Sequence, residues 1–161
     1  MAHESRLTTA VRELLTTRRT AALGTLSEDG GPHVSMVPYA VDSSQARILI
    51  LISQLAAHTQ HIARDPRVSL LISVAEVPGQ PVHQLGRITL VGEAHCIQRD
   101  TAEHAACQDA YLGRFPEAEN IALLPDFRYV SIYVQAVRQV AGFGAARDMP
   151  ADDFERLLRS C

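Results

Sequence analysis

The stretch SQLAAHTQHIARDPRVSLL, residues 53–71, shows how the middle of this chain is organised. It follows the apolar run at residues 48–52, and Asp65-Pro66 separates its first part from a second apolar run. Ser53 is predicted to cap a helix, because a serine side-chain oxygen can accept from a free N–H of the first turn. Helical spacing places the following residues on one face: Leu55, Ala56, Thr59, Ile62 and Ala63. The stretch therefore predicts strand, helix and strand in succession.

The start of this helix has the features of an anion site. Ser53, His58 and Thr59 lie where first-turn N–H groups are unpaired, and the helix dipole favours an anion there by about 0.3–1 kcal/mol. A phosphate could bind there. The alternative is an ordinary crossover helix on which His58 and His61 form a solvated pair.

Composition narrows the class of protein. The chain has 161 residues, 47% of them hydrophobic and 20% charged, which predicts one packed domain over residues 1–161. A net charge of −3 argues against a nucleic-acid partner. No apolar run reaches the roughly 18–20 residues of a membrane span, and no signal peptide is evident. Three cysteines without CxxC spacing are expected to be reduced thiols, so we expect a cytoplasmic protein.

The pattern of strands and turns predicts the fold class. A helix is expected over residues 4–18, a barrel over 20–144 and a terminal helix over 151–159. Between them, six or seven short strands alternate with turn signals, and Pro38 predicts a free edge or bulge in the second strand. A bulge is expected at Gly92, and a helix over 100–112 after an Asp100 cap. The last two strands are expected at 127–134 and 136–143. This pattern indicates a mainly β (α+β) protein, a closed or partly closed antiparallel barrel with helices outside it.

No catalytic constellation is evident in the sequence. There is no GxGxxG after the first strand, no Walker A sequence, no HExxH and no GxSxG. The pairs His58–His61 and His104–Cys107 have helical spacing but no further ligands near them in sequence, so no metal site is predicted. Catalytic residues stay unassigned, and any chemistry would have to come from a bound cofactor.

Several segments together resemble a known family. They are TAALGTLSEDGGPHVSMVPYAVD, ILILISQLAAHTQHIARDPRVSLLI, GRITLVGEA, YLGRFPEAE and DFRYVSIYVQAVRQVAGFGAAR. In this order they resemble the pyridoxamine 5′-phosphate oxidase-like FMN-binding split barrels, and within them the haem-utilisation (HugZ-like) subgroup, over residues 6–147. The resemblance implies a six-stranded split barrel that forms a homodimer, with FMN at the interface between the two copies.

The resemblance also implies cofactor-binding positions along the second strand, at the helix start and on a later strand: Met36, Val37, Pro38, Tyr39, Ser53, His58, Thr59 and Arg87. The strand residues would line the flavin ring. Ser53, His58 and Thr59 would hold the FMN phosphate, and Arg87 would lie near the flavin.

Departures from the family pattern leave three hypotheses. His58 stands where the oxidases carry arginine or lysine, the chain has no tryptophan, and its last histidine is His104. The first hypothesis is an FMN-dependent oxidoreductase with a small-molecule electron donor and acceptor and an unknown substrate. The second is a haem-binding, haem-utilisation protein of the same fold. The third is a cofactor-free binding dimer.

Overall fold

The computed structural model describes residues 5–161. Its helices are α1 (Arg6–Thr17), α2 (Ala57–Arg64), α3 (Ala102–Arg114), α4 (Glu119–Ala122) and α5 (Ala151–Arg159), with a 3₁₀ turn at Pro116–Ala118. Its strands are β1 (Thr20–Leu26), β2 (Pro32–Asp42), β3 (Arg47–Ser53), β4 (Arg67–Ser73), β5 (Arg87–Cys96), β6 (Phe127–Val140) and β7 (Ala146–Met149). The predicted helix 4–18 is thus observed from Arg6, and its first residue, Glu4, lies outside the described residues.

Six strands close into an antiparallel barrel, as predicted. The order is β3-β2-β1-β4-β5-β6, and β3 pairs with β6 to close the ring. β7 extends the sheet beyond β6. Turn chemistry supports the first hairpin: Gly30 has φ 80°, and the amide of Ser27 donates to the carbonyl of Gly31 at 2.9 Å.

The second strand belongs to two different parts of the barrel. Residues 32–38 pair with β1, whereas residues 39–42 pair with β3. Up to Pro38, β2 therefore has no described strand partner on its second edge, which is where the barrel splits. The free edge predicted from Pro38 is confirmed.

Gly92 allows β5 and β6 to approach each other at a bulge. The strand register shifts between Val91 and Gly92, as the sequence predicted. A Cβ atom at Gly92 would lie 2.1 Å from the carbonyl oxygen of Tyr133, so only glycine fits. Bulges increase local twist, which helps the sheet curve into a barrel.

Two sequence predictions about these elements are wrong, and one strand was not predicted. The two strands expected at 127–134 and 136–143 are one strand, β6, because the residue skipped at the bulge interrupts the alternation without ending the strand. β7 was not predicted. α3 is capped by Thr101, whose side chain accepts from the amide of His104, while Asp100 adopts φ 59° just before it.

Helices cover the barrel unevenly. α1 and α5 pack against the apolar interior, with Val11, Leu15 and Phe154 fully buried. α3 covers the outer face of β3, where Tyr111 and Phe115 pack with Leu49 and other residues. α3 does not cover the outer faces of β1, β4 and the first half of β2, where Val34, Met36 and Leu71 are exposed. Among the described residues, no helix is long and apolar enough to cross a membrane.

Candidate functional site

An apolar face of the barrel is open to solvent. It consists of two adjacent rows of paired residues, Met36–Ala22–Leu71–Thr89 and Val34–Gly24–Ser69–Val91. We call these eight residues the uncovered sheet face. They span three strand spacings, about 14 Å. Val34 is 68% and Met36 is 66% exposed, and Leu71 and Val91 are also exposed. An exposed apolar patch of this kind is typical of a ligand or protein contact.

The structure divides the predicted residues of β2 between the two sides of the strand. Met36 and Pro38 point outward and are exposed, and Met36 belongs to the uncovered sheet face. Val37 and Tyr39 point inward and are buried in the barrel core. The Tyr39 hydroxyl donates to the carbonyls of Leu14 and Leu15, and burial raises its pKa to about 12. These two side chains hold α1 to the barrel.

Arg87 lies on the same outer side as Met36 and Pro38. It is the first residue of β5, and its side chain lies on the same side of the strand as those of Thr89 and Val91. Its guanidinium donates to the carbonyl of Leu85 at 3.0 Å, and no ion pair to Arg87 occurs within the described part of the chain. The outer side of the barrel therefore combines exposed apolar side chains with a cation at its margin.

The start of α2 differs from the prediction. The N-cap residue is Ala56, and no side chain caps the helix. Ser53 instead donates to the Asp126 carboxylate at 2.7 Å and accepts from the amide of Leu55. The Thr59 hydroxyl donates to the carbonyl of Ser53 at 2.6 Å. The prediction of Ser53 as N-cap is wrong, because a turn at residues 54–55 follows Ser53 and the helix begins only at Ala57.

His58 is held against the first hairpin and does not project into solvent. Its Nδ1 lies 2.9 Å from the Ser35 hydroxyl, and its Nε2 is buried without a hydrogen-bond partner. Burial lowers the pKa of His58, and the neighbouring His33 and His61 lower it further. The imidazole is thus kept neutral, and it supplies no fixed positive charge for a phosphate.

His61 also contacts the hairpin. Its Nδ1 lies 2.9 Å from the Thr25 hydroxyl, and its ring meets that of His33 edge to face at 5.0 Å between centroids. The alternative of a solvated histidine pair is therefore wrong. His33, Ser35 and Thr25 were not among the predicted site residues. The register of the first hairpin could have indicated these residues, because alternate residues of two paired strands lie on the same side of the sheet. No group of three potential metal ligands occurs among the described residues.

The chain matches a family model over most of its length. The model described as "Pyridoxamine 5'-phosphate oxidase" matches residues 7–141. Among curated proteins, the chain is 29% identical over 154 residues to "Heme oxygenase HutZ" of Vibrio cholerae, covering 94% of this chain and 85% of the relative. It is 34% identical over 139 residues to "Non-canonical heme oxygenase HOZ, chloroplastic" of Arabidopsis thaliana, covering 84% of this chain.

A solved structure is similar throughout the chain. The heme binding protein from Mycobacterium smegmatis matches with a TM-score of 0.82 and 26% identity over 96% of this chain. This chain spans 62% of the Mycobacterium protein and 40% of the Arabidopsis protein.

The prediction of FMN as cofactor is wrong. The two curated relatives and the Mycobacterium structure are named as haem proteins. The prediction relied on Ser53, His58 and Thr59 as a phosphate site. In the structure the Ser53 hydroxyl is bonded to a carboxylate, the Thr59 hydroxyl to a carbonyl, and His58 has a lowered pKa. None of these three side chains therefore supplies a fixed positive charge to a phosphate.

Proposed function

We propose that this chain, which belongs to the pyridoxamine 5′-phosphate oxidase family, is a haem-binding protein of haem utilisation. The observation that carries the proposal is the uncovered sheet face, an open apolar surface on a barrel whose relatives are named for haem. Bound haem would supply the iron chemistry, while the protein would provide a dry face, an axial ligand and partners for the propionates.

The uncovered sheet face fits the flat body of haem. Gly24 and Ala22 form its low centre, and Val34, Met36 and Leu71 rise around them as exposed apolar side chains. Covering such side chains contributes about 25 cal/mol for each Å² of apolar surface removed from water. At the margin, Arg87 offers a guanidinium to a propionate carboxylate, for which its fork geometry is suited.

On this side of the barrel, Met36 and His95 carry side-chain atoms of the kinds that ligate haem iron. Met36 presents a thioether on the face itself, and His95 lies on the same side of β5 as Val91. The His95 Nε2 is 3.8 Å from a Glu93 carboxylate oxygen, and its ring centroid is 6.2 Å from that of Tyr133. Imidazole and thioether are both established axial ligands. We propose Met36, Pro38 and Arg87 as contacts to haem, and His95 or Met36 as its axial ligand.

The same face supports the proposal of a homodimer. Monomeric proteins rarely expose contiguous apolar patches larger than a few hundred Å². A second copy of the chain would bury the uncovered sheet face. Two copies meeting along this face would also enclose a haem that one copy leaves open to water. The dimer is proposed together with the haem site and is tested separately, by light scattering during gel filtration without haem.

Haem titration followed by absorption tests the function. We expect a shifted Soret band that saturates at a fixed ratio of haem to protein. His95→Ala or Met36→Leu should change the position of the band, whereas His83→Ala, in the exposed loop between β4 and β5, should leave it unchanged. A Soret band indistinguishable from that of free haem at every ratio would refute the proposal. If the protein is a dimer but the haem spectrum does not change on titration, the cofactor-free binding dimer is the hypothesis that remains.

A reductant then separates two roles within haem utilisation. Haem that is lost on addition of ascorbate in air indicates degradation, while haem that stays bound and spectrally intact indicates storage or transfer. Both outcomes begin from a bound haem, so the binding titration comes first.

A further inference from the structure

A second concave site lies on the other side of β5. It is a cleft of about 640 Å³ between α2 and the beginning of β6. Cys96 lines it, and Cys96 shares the strand side of the buried Ala94, opposite to Val91 of the uncovered sheet face. The cleft is therefore distinct from the proposed haem site. Its size is typical of small-molecule sites, which range from about 300 to 1,000 Å³.

Two arginines meet at one side of this cleft. Arg99 donates through one terminal nitrogen to the carbonyls of Leu124 and Phe127, the latter at 2.9 Å. Arg128 donates through one terminal nitrogen to the carbonyls of Pro125 and Phe127, the latter at 2.8 Å. Because both bind the same carbonyl oxygen, these two nitrogens can be no more than about 6 Å apart.

The positive charge of this pair is not neutralised within the described chain. Neither Arg99 nor Arg128 has a carboxylate within 4.0 Å there. The Nε of Arg99 is buried and has no hydrogen-bond partner. Asp126, which follows Pro125, accepts a hydrogen bond from Ser53. Two neighbouring guanidiniums without a counter-charge favour an anion beside them.

We propose that this cleft binds a small organic phosphate. A phosphate dianion matches the charge of two guanidiniums and offers three oxygens to two separate forks, whereas one carboxylate matches a single fork. Gln54, Gln60 and Gln98 also line the cleft, and their amides can both donate and accept. Apolar residues such as Ala63 and Ile97 lie between them, so the lining suits an uncharged, partly polar body attached to the phosphate.

Cys96 provides a readout that does not depend on any activity. It is an exposed thiol in the cleft, and Cys161 is an exposed thiol elsewhere. Both can be followed in one sample by iodoacetamide labelling and peptide mass spectrometry. Glycerol 2-phosphate at millimolar concentration should slow labelling of Cys96 at least threefold and leave Cys161 unchanged, relative to chloride at equal ionic strength. Lactate, which carries a single carboxylate, should protect less.

Matched variants link the protection to the arginine pair. Arg128→Gln should weaken glycerol 2-phosphate binding at least tenfold by calorimetry and abolish protection of Cys96. Arg156→Gln makes the same substitution on α5, where Arg156 pairs with Asp153, and should leave both unchanged. Thermal melting of each variant confirms that it is folded. Equal affinity of Arg128→Gln and the parent, equal protection by lactate, or no protection by glycerol 2-phosphate would each overturn the proposal.

Discussion

The buried arginine at the start of β3 offers the sharpest test of how the barrel is held together. Arg47 is 1% exposed and lies under α3. Its Nε donates to the Asp42 carboxylate at 2.8 Å, and one terminal nitrogen donates to Glu103 at 2.6 Å. Asp42 is 4% exposed, so replacing Arg47 with methionine leaves a carboxylate in the interior without its cation.

The magnitude follows from that isolated charge. Removing one partner of a buried ion pair costs about 3–5 kcal/mol, since the remaining charge has neither water nor a counter-ion. Arg47→Met should therefore lower the free energy of unfolding by about 3–5 kcal/mol. For a chain of this size each kcal/mol lowers the melting temperature by about 2–4 °C, so a fall of about 6–20 °C is expected. Methionine keeps most of the side-chain volume, which limits the contribution from a cavity.

Urea unfolding followed by circular dichroism measures this loss, and a second substitution tests its cause. Asp42→Asn in the Arg47→Met background removes the isolated charge and keeps an acceptor for Ser44, so it should restore at least half of the lost stability. Arg156→Met, on an exposed ion pair, should cost no more than about 1 kcal/mol. A loss below about 1 kcal/mol for Arg47→Met, or no recovery in the double variant, would refute the reasoning.

The pH dependence supplies a further check on the same pair. Burial alone would raise the pKa of Asp42, but hydrogen bonds from Ser44 and Arg47 outweigh it and lower the pKa. In the parent this stabilisation is present above the unfolded pKa of about 3.9 and is lost as pH falls through the folded pKa. In Arg47→Met the isolated carboxylate can be neutralised by protonation, so the cost of the substitution should shrink in acid.

Three other predictions concern single positions. Gly92→Ala should destabilise the barrel by about 1–3 kcal/mol or more in urea unfolding, because its Cβ would lie 2.1 Å from the Tyr133 carbonyl oxygen. The control, Gly113→Ala, places a Cβ in open space on α3 and should be neutral or stabilising. His58 has a lowered folded pKa, so the parent should lose stability as pH falls below about 6.5, down to that folded pKa. His58→Gln should flatten this part of the urea-unfolding profile, and an unchanged slope would contradict the assignment. Tyr39→Phe removes the hydroxyl whose one proton is shared between two carbonyls of α1. It should lower the free energy of unfolding by about 0.5–1.5 kcal/mol in thermal unfolding, and no measurable loss would contradict that role.

Local patterns in the sequence were enough to predict the barrel. Alternating strands, the turn before Pro32, the edge at Pro38 and the bulge at Gly92 all depend on neighbouring residues, and the structure confirms them. The resemblance to the family and its haem-utilisation subgroup is also confirmed. The single strand β6 was missed because its bulge breaks the alternation that marks a strand.

The details of the site depended on contacts between distant residues. Ser53 has the sequence signature of an N-cap, but a turn separates it from the helix, and its hydroxyl donates to the distant Asp126. His58 and His61 have the spacing of a solvated pair, but Ser35 and Thr25 hold them against the hairpin. The choice between flavin and haem could not be made from residue types, because both cofactors need an apolar face with a cation at its margin. The named relatives overturned FMN.

The central claim is that haem binds on the uncovered sheet face, and a paired haem titration tests it most directly. Val34→Glu places a charge on this face, and Val77→Glu places the same charge in the exposed loop between β4 and β5. Val77→Glu should titrate like the parent, whereas Val34→Glu should weaken haem binding at least tenfold while melting at the same temperature. Equal haem affinity of the two variants would contradict it.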